Sequence, residues 1–241
     1  MDRIYIGHIP GIGTQALAGI GVAGSLIILI SAFSAIVAGG GAPLAAIALG
    51  QGNRTHAGKI LGNGFVLLLF FTLLTSGLSY LFMEPILLFT GASEQTLGYA
   101  TAYLSIYLIG TLFVEVSVGL NTFINTQGRP GIAMLSIVIG ALLNILLDPL
   151  FIFVFDWGVK GAAWATVIAQ AVSGVGLCVY TIRKFPEFRI RREDMCMKWQ
   201  TVKEIAVYSS LTCAQQSVMN FGILMVQGSV SYTHLTLPTK A

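Results

Sequence analysis

An amide and a carboxylate, Asn144 and Asp148, stand one helical turn apart inside the otherwise apolar run Asn144-Ile-Leu-Leu-Asp148-Pro149. Positions i and i+4 share one helix face. A carboxylate at membrane depth costs at least about 2.5 to 3.5 kcal/mol on insertion scales, so it is kept where it has a partner or a task. Pro149 cannot donate a backbone hydrogen bond, which predicts a kink beside the carboxylate and a freed carbonyl there. A bent helix with an oxygen-rich face is suited to holding a cation or a proton. Asp2, Thr166 and Glu115 are the other polar side chains placed to join such chemistry.

The elements that must position these groups are membrane helices. Of 241 residues 55% are hydrophobic and only 10% charged, where soluble domains carry about 25% charged residues, and the mean hydropathy is +0.82. Runs long enough to cross a bilayer fall near 16–38, 60–83, 99–124, 131–155, 160–182 and 205–228. They predict five full crossings, the end of an earlier one before residue 9, and a late helix. Their length and scarce charge favour helices over barrel strands. Arg54, Lys59, Arg129, Arg183, Lys184, Arg189, Arg191, Arg192, Lys198 and Lys203 lie in loops on one side, against Lys160 alone on the other. That asymmetry predicts cytoplasmic basic loops, anionic lipid beside them, and a multi-pass protein of the inner (plasma) membrane. The polar connection 183–204 is the candidate link between two bundles.

Counting back from the outer loops places Asp2, Asp148 and Thr166 roughly 10 Å below the outer surface, at 1.5 Å per helical residue, on three different helices. They form one candidate site with Asn144. Glu115 falls deeper toward the cytoplasm and reads either as a second polar site or as a structural hydrogen bond. Asp2 could instead pair with Arg3, and Asp148 could simply bond a neighbouring helix. Thr166 by itself would bond its own backbone.

Other patterns are weaker. Gly19-Ile-Gly21-Val-Ala-Gly24 matches a dinucleotide fingerprint but lies in an apolar helix without a preceding strand, so helix packing accounts for it. Gly39-Gly40-Gly41 lacks a following Gly-Lys-Ser/Thr and predicts a bend before Pro43. Asn53-Arg-Thr55 is a glycosylation sequon on the side assigned to the cytoplasm. His8 and His56 have no neighbours at metal-ligand spacing, and Cys178, Cys196 and Cys213 predict neither disulfide framework nor zinc site. No nucleophile, base and orienter set appears, so an enzyme is not expected, nor a cofactor. The net charge of +3 gives no case for nucleic acid. Residues 230–241 resemble a translated sequencing adapter and are expected to be foreign to the fold.

Asp2-Arg-Ile-Tyr-Ile-Gly7, Gln51-Gly-Asn-Arg54, Asn125-Thr-Gln-Gly-Arg-Pro130, Asn144-Ile-Leu-Leu-Asp-Pro149, Gly158-Val-Lys-Gly-Ala-Ala163 with Ala165-Thr166, and Gln215-Gln-Ser217 resemble, in order and spacing, successive motifs of multidrug and toxic compound extrusion (MATE) transporters. The resemblance implies an all-α polytopic bundle, the N-terminal six-helix lobe of a twelve-helix, two-lobe transporter plus the start of helix 7. It implies residues 1–182 as that lobe with helix 1 truncated, 183–204 as the inter-lobe loop, and 205–229 as the first helix of the second lobe, so that the chain is a fragment. It further implies exchange of Na+ or H+ for a small organic cation, with the coupling site on Asp2, Asn144, Asp148 and Thr166 and with a monomeric full-length protein. Two alternatives stay open: a lipid-linked oligosaccharide flippase of the wider superfamily, and a truncated membrane fragment that transports nothing.

Overall fold

A computed structural model describes residues 2–184, 197–215 and 218, with residues 33–36 and 184 described by their backbone alone. Most of the 183–204 connection with Cys196, the end of the helix assigned to 205–229, and the tail 230–241 lie outside the described residues.

A short helix, α1 (Asp2–Gly7), leads into α2 (Gly13–Gly50), α3 (Arg54–Leu81), α4 (Met83–Phe89), α5 (Glu94–Thr126), α6 (Pro130–Pro149) and α7 (Gly158–Lys184). A last helix, α8, covers 199–215. Five of these, α2, α3, α5, α6 with the turn after it, and α7, are long and apolar enough to cross a membrane, as the hydropathy runs predict. Local signals set their ends. The Asn53 side chain accepts the His56 N–H at 3.1 Å and caps α3, which gives the sequon residue a structural role. Ser93 and Thr96 form a capping box at α5, and Pro130 opens α6 where its missing N–H costs nothing.

The bundle is built around α5, which packs most extensively against α7 and α2 and also touches α3, α4 and α6. Its most apolar stretch is 61% buried, against 17% for the α6 span. The outer face of α6 presents Met134, Leu135, Ile137, Leu142 and Leu146 outward, the arrangement of a helix bathed in lipid rather than water. Inside, Ile6, Ile20, Leu104, Ile152 and Ala162 join one apolar cluster, and Ala45, Ile60, Leu61, Phe123 and Ile205 another.

Two prolines have different outcomes. The stretch before Pro43 does not interrupt the helix, since α2 stays helical from Gly13 through Gly50. Pro43 leaves the Gly39 carbonyl without its usual helical donor, and the Thr212 hydroxyl of α8 donates to that oxygen at 3.2 Å. The three glycines serve packing: a Cβ on Gly40 would lie 2.6 Å from the Ile205 carbonyl oxygen, and one on Gly41 3.1 Å from the Phe123 ring. The docking of α8 is completed by the Lys198 N–H donating to Asn63 Oδ1 at 3.0 Å and by His56 Nε2 at 3.3 Å from Glu204, a partner that local spacing around His56 could not reveal. Of the dinucleotide-like glycines, Gly19 packs most closely, since a Cβ there would lie 2.8 Å from the Thr96 carbonyl of α5, whereas one on Gly21 would meet nothing within 4 Å.

At Pro149 the expected disturbance takes the form of a π-helical turn, Leu150–Val154, in which the Phe155 N–H reaches back to the Leu150 carbonyl at 3.0 Å. Such widened turns re-aim the side chains around them. Helix α7 seats against this turn through Gly161, where a Cβ would sit 2.7 Å from the carbonyl carbon and oxygen of Phe151. Gly161→Ala is therefore expected to destabilise the bundle by about 1–3 kcal/mol through overpacking. Gly77→Ala, whose Cβ would meet nothing within 4 Å, is expected to be neutral or stabilising by up to about 1 kcal/mol. Thermal unfolding of the two variants in detergent checks this, and equal melting temperatures would contradict it.

Candidate functional site

The depth count from the loops predicts Asp2, Asp148 and Thr166 at one level, with Asn144 one helical turn from Asp148, and the folded chain brings all four together. On α6, Asn144 Nδ2 lies 3.3 Å from Asp148 Oδ1, as their i, i+4 spacing requires. The same amide donates to Thr166 Oγ1 on α7 at 3.1 Å. Thr166 does not bond its own backbone, because its hydroxyl donates to Asp2 Oδ2 on α1 at 2.7 Å. The Arg3 pairing considered for Asp2 gives way to this bond and to a second donor, the Tyr103 hydroxyl of α5, also 2.7 Å from Asp2 Oδ2. Hydrogen bonds to a charged acceptor contribute about 1.5–3 kcal/mol each, more than an exposed ion pair to Arg3 would return.

Sequence reasoning missed Tyr103. A tyrosine in a membrane helix carries little signal by itself, since its ring suits an apolar setting and its hydroxyl finds a partner only in three dimensions. Its neighbour one turn on, Tyr107, stacks upon it with ring centroids 6.1 Å apart.

Asp148 is fully buried. Its Oδ1 accepts from Asn144, while Oδ2 is buried without a hydrogen-bond partner. A buried acceptor in that condition costs about 1–3 kcal/mol, and more when charged. Glu115 does not join the cluster. It is 1% exposed and accepts from the Ser31 hydroxyl of α2 at 2.7 Å, in the separate layer expected of it.

A cavity of about 430 Å³ opens beside the cluster, lined among others by Asp2, Asn144, Thr166, Asn121, Gln170 and Ser173. Asp148 stands behind Asn144 rather than in the wall. At the far end the Asn121 amide donates to the Ala133 carbonyl at 2.7 Å and to Ser136 Oγ at 3.0 Å, which ties α5 to α6. Ser173 Oγ donates to the Ser136 carbonyl at 3.0 Å and so ties in α7. The cavity is thus walled by polar groups from α5, α6 and α7, with one acid, Asp2, in its lining and another, Asp148, bonded to the lining residue Asn144. Among the described residues no group of three or more His, Cys, Asp or Glu side chains is spaced to hold a metal, so a cation here would rely on hard neutral oxygens beside the two carboxylates.

The chain is 26% identical over 228 residues to the probable multidrug resistance protein NorM of Thermotoga maritima, covering 93% of this chain and 48% of that protein. It is 37% identical over 101 residues to the multidrug export protein MepA of Staphylococcus saprophyticus, covering 42% and 22%. It thus spans about half the length of NorM and less of MepA. A crystal structure described as MATE in the bent conformation superposes with a TM-score of 0.82 at 23% identity, over 92% of this chain and 49% of that one, which establishes a common fold. The family model described as MatE matches residues 1–150, and this all-helical membrane chain, with its Asp2, Asn144 and Asp148 inside the matched span, belongs to the MatE family.

Proposed function

We propose that this chain is half of a cation-coupled antiporter that exports small organic cations, and that Asp2, Asn144, Asp148 and Thr166 form its coupling site, with Tyr103 positioning Asp2. The buried Asp148 Oδ2 without a hydrogen-bond partner carries the reading. A proton on that oxygen, or a sodium ion beside it, would supply what the fold withholds. The carboxylates, the Asn144 carbonyl and the Thr166 hydroxyl make an oxygen set suited to sodium, while a proton needs the carboxylates alone.

Coupling follows from how the bonds are shared. The Asn144 amide is divided between Asp148 and Thr166, and the Thr166 hydroxyl is committed to Asp2. Neutralising Asp148 weakens the attraction it exerts on the Asn144 amide and so alters the bond to Thr166 and, through it, the hold on Asp2. Asp2 stands on α1, a different helix from those that carry Asn144, Asp148 and Thr166. An ion at Asp148 thereby biases the position of α1 beside the cavity, and a ligand that favours one of two conformers shifts the balance toward it. An organic cation attracted by Asp2 into the cavity would be released as that balance moves. In this reading the protein sits in the inner membrane with Arg54, Arg129 and Arg183 in the cytoplasm, residues 1–182 act as one lobe, and a second lobe after residue 204 rocks against it. Names of relatives that include multidrug resistance and multidrug export support efflux as the direction of transport.

In the full-length transporter, Asp148→Asn is expected to lower coupled efflux at least about tenfold at unchanged expression, since one buried charge-assisted interaction is worth about 1.5–3 kcal/mol; wild-type efflux from this variant would sink the assignment. Tyr103→Phe removes one of the two donors to Asp2 and is expected to lower efflux by about three- to tenfold, which fluorescent-substrate export from inverted vesicles would read. Thr166→Val is expected to weaken sodium-driven flux more than proton-driven flux, and an unchanged sodium response would identify the proton as the coupling ion.

A further inference from the structure

Among the described residues Glu115 is the one buried acid that the coupling site does not use, and it is joined to that site by the helix on which it stands. Tyr103, Tyr107, Thr111 and Glu115 follow one another on α5 at intervals of four residues, and all are buried, with exposures of 5%, 7%, 0% and 1%. Residues at i, i+4, i+8 and i+12 form a ridge inclined to the helix axis, so the row turns around α5 as it descends about 18 Å. Its upper end meets α1, where Tyr103 donates to Asp2. Its lower end meets α2, where Ser31 donates to Glu115. Between them Tyr107 stacks on Tyr103 and lies within electrostatic reach of both carboxylates.

We propose that Glu115 is a second proton-binding carboxyl of this bundle, and that it communicates with Asp2 through the buried tyrosine ridge of α5. The inference rests on the coupling-site reading only for the role of Asp2. The ridge is an electrostatic link rather than an unbroken wire, because the Thr111 hydroxyl is spent on the Tyr107 carbonyl at 2.9 Å. On protonation the Glu115 carboxylate accepts a proton originating from hydronium in the solvent, which leaves as water, and becomes a neutral acid; Ser31 donates to either form. The charge change is felt at Asp2 because few other ionisable groups intervene. Helix α2 carries none. Those of α3 (Arg54, His56, Lys59, Tyr80) lie toward its two ends, as do those of α7 (Lys160, Cys178, Tyr180, Arg183, Lys184). Helix α6 offers only Asp148, α4 only Glu84, and α5 itself adds Glu94 and Tyr99 in its first two turns, while α1 adds Arg3 and Tyr5 close to Asp2 and α8 adds Lys203, Glu204, Tyr208 and Cys213. The interior position of a carboxyl at membrane depth is the setting in which protonation equilibria serve function.

A hydrophobic carbodiimide tests this, since it bonds through its central carbon to the oxygen of a carboxyl group that brings its own proton to the reagent nitrogen. The 241-residue chain in detergent would be labelled from acid to alkaline pH and each carboxyl followed by peptide mass spectrometry, with Glu115→Gln confirming the assignment. Glu115 is expected to take the label in acid and lose it in alkali. Tyr107→Phe and Asp2→Asn are each expected to change its labelling rate at least about threefold. Label on Asp2 or Asp148 but not on Glu115 would overturn the inference and leave the coupling site standing; label on Glu115 alone would support the inference and leave sodium as the ion of the coupling site. A rate at Glu115 indifferent to both substitutions would overturn the link, and no label on any of the three would overturn the proposal as well.

Discussion

A carboxylate oxygen surrounded by hydrocarbon has no water to turn to, and much of this bundle is arranged around that constraint. Asp2 is held by two hydroxyl donors from two other helices, Asp148 by one amide from its own helix, and Glu115 by a serine across a helix contact. Three of these four bonds cross a helix interface, and the Asn144 amide also reaches Thr166 on α7, so the polar groups help register α1, α2, α5, α6 and α7 against one another. The difference in how completely the acids are satisfied is itself informative. Asp2 has donors on one oxygen from both sides, whereas Asp148 keeps one oxygen buried and unbonded, the condition in which a mobile cation has most to offer.

The backbone meets the same constraint with small residues and displaced prolines. Gly19 brings α2 onto α5, Gly40 admits α8, and Gly161 lets α7 rest on the turn that follows Pro149. Without a hydrophobic drive between helices in lipid, such close approaches are what hold a bundle together. Pro43 and Pro149 each remove a backbone donor, and the chain answers differently. A threonine from another helix serves the Gly39 carbonyl, so α2 runs on. After Pro149 the helix widens into a π turn, immediately beside Asp148.

Membership of the MatE family gives these local facts a context, and the length of the relatives sets its scale. The chain covers 48% of NorM of Thermotoga maritima and 49% of the bent MATE structure, so what is folded here is about half of the molecules it resembles. The polar cluster and its cavity are nonetheless assembled from α1, α5, α6 and α7. The candidate site is thus contained within one bundle.

The amino-acid order alone determined the class of the protein, the approximate crossings and most of the site. Hydropathy runs locate helices because a bilayer demands about 20 apolar residues per span, and the pairing of Asn144 with Asp148 follows from helical period alone. The grouping of Asp2 and Thr166 with them was legible because loops fix depth and depth can be counted along a helix. Depth is only one coordinate, however, and it is silent about rotation. Whether Thr166 turned toward Asp2 or toward its own backbone, whether Tyr103 reached the same oxygen, whether His56 found Glu204, and whether Pro43 interrupted its helix were all decided by which faces of distant helices met. Those contacts join residues up to 173 positions apart, and no local pattern encodes them, because they depend on how neighbouring helices pack as three-dimensional bodies.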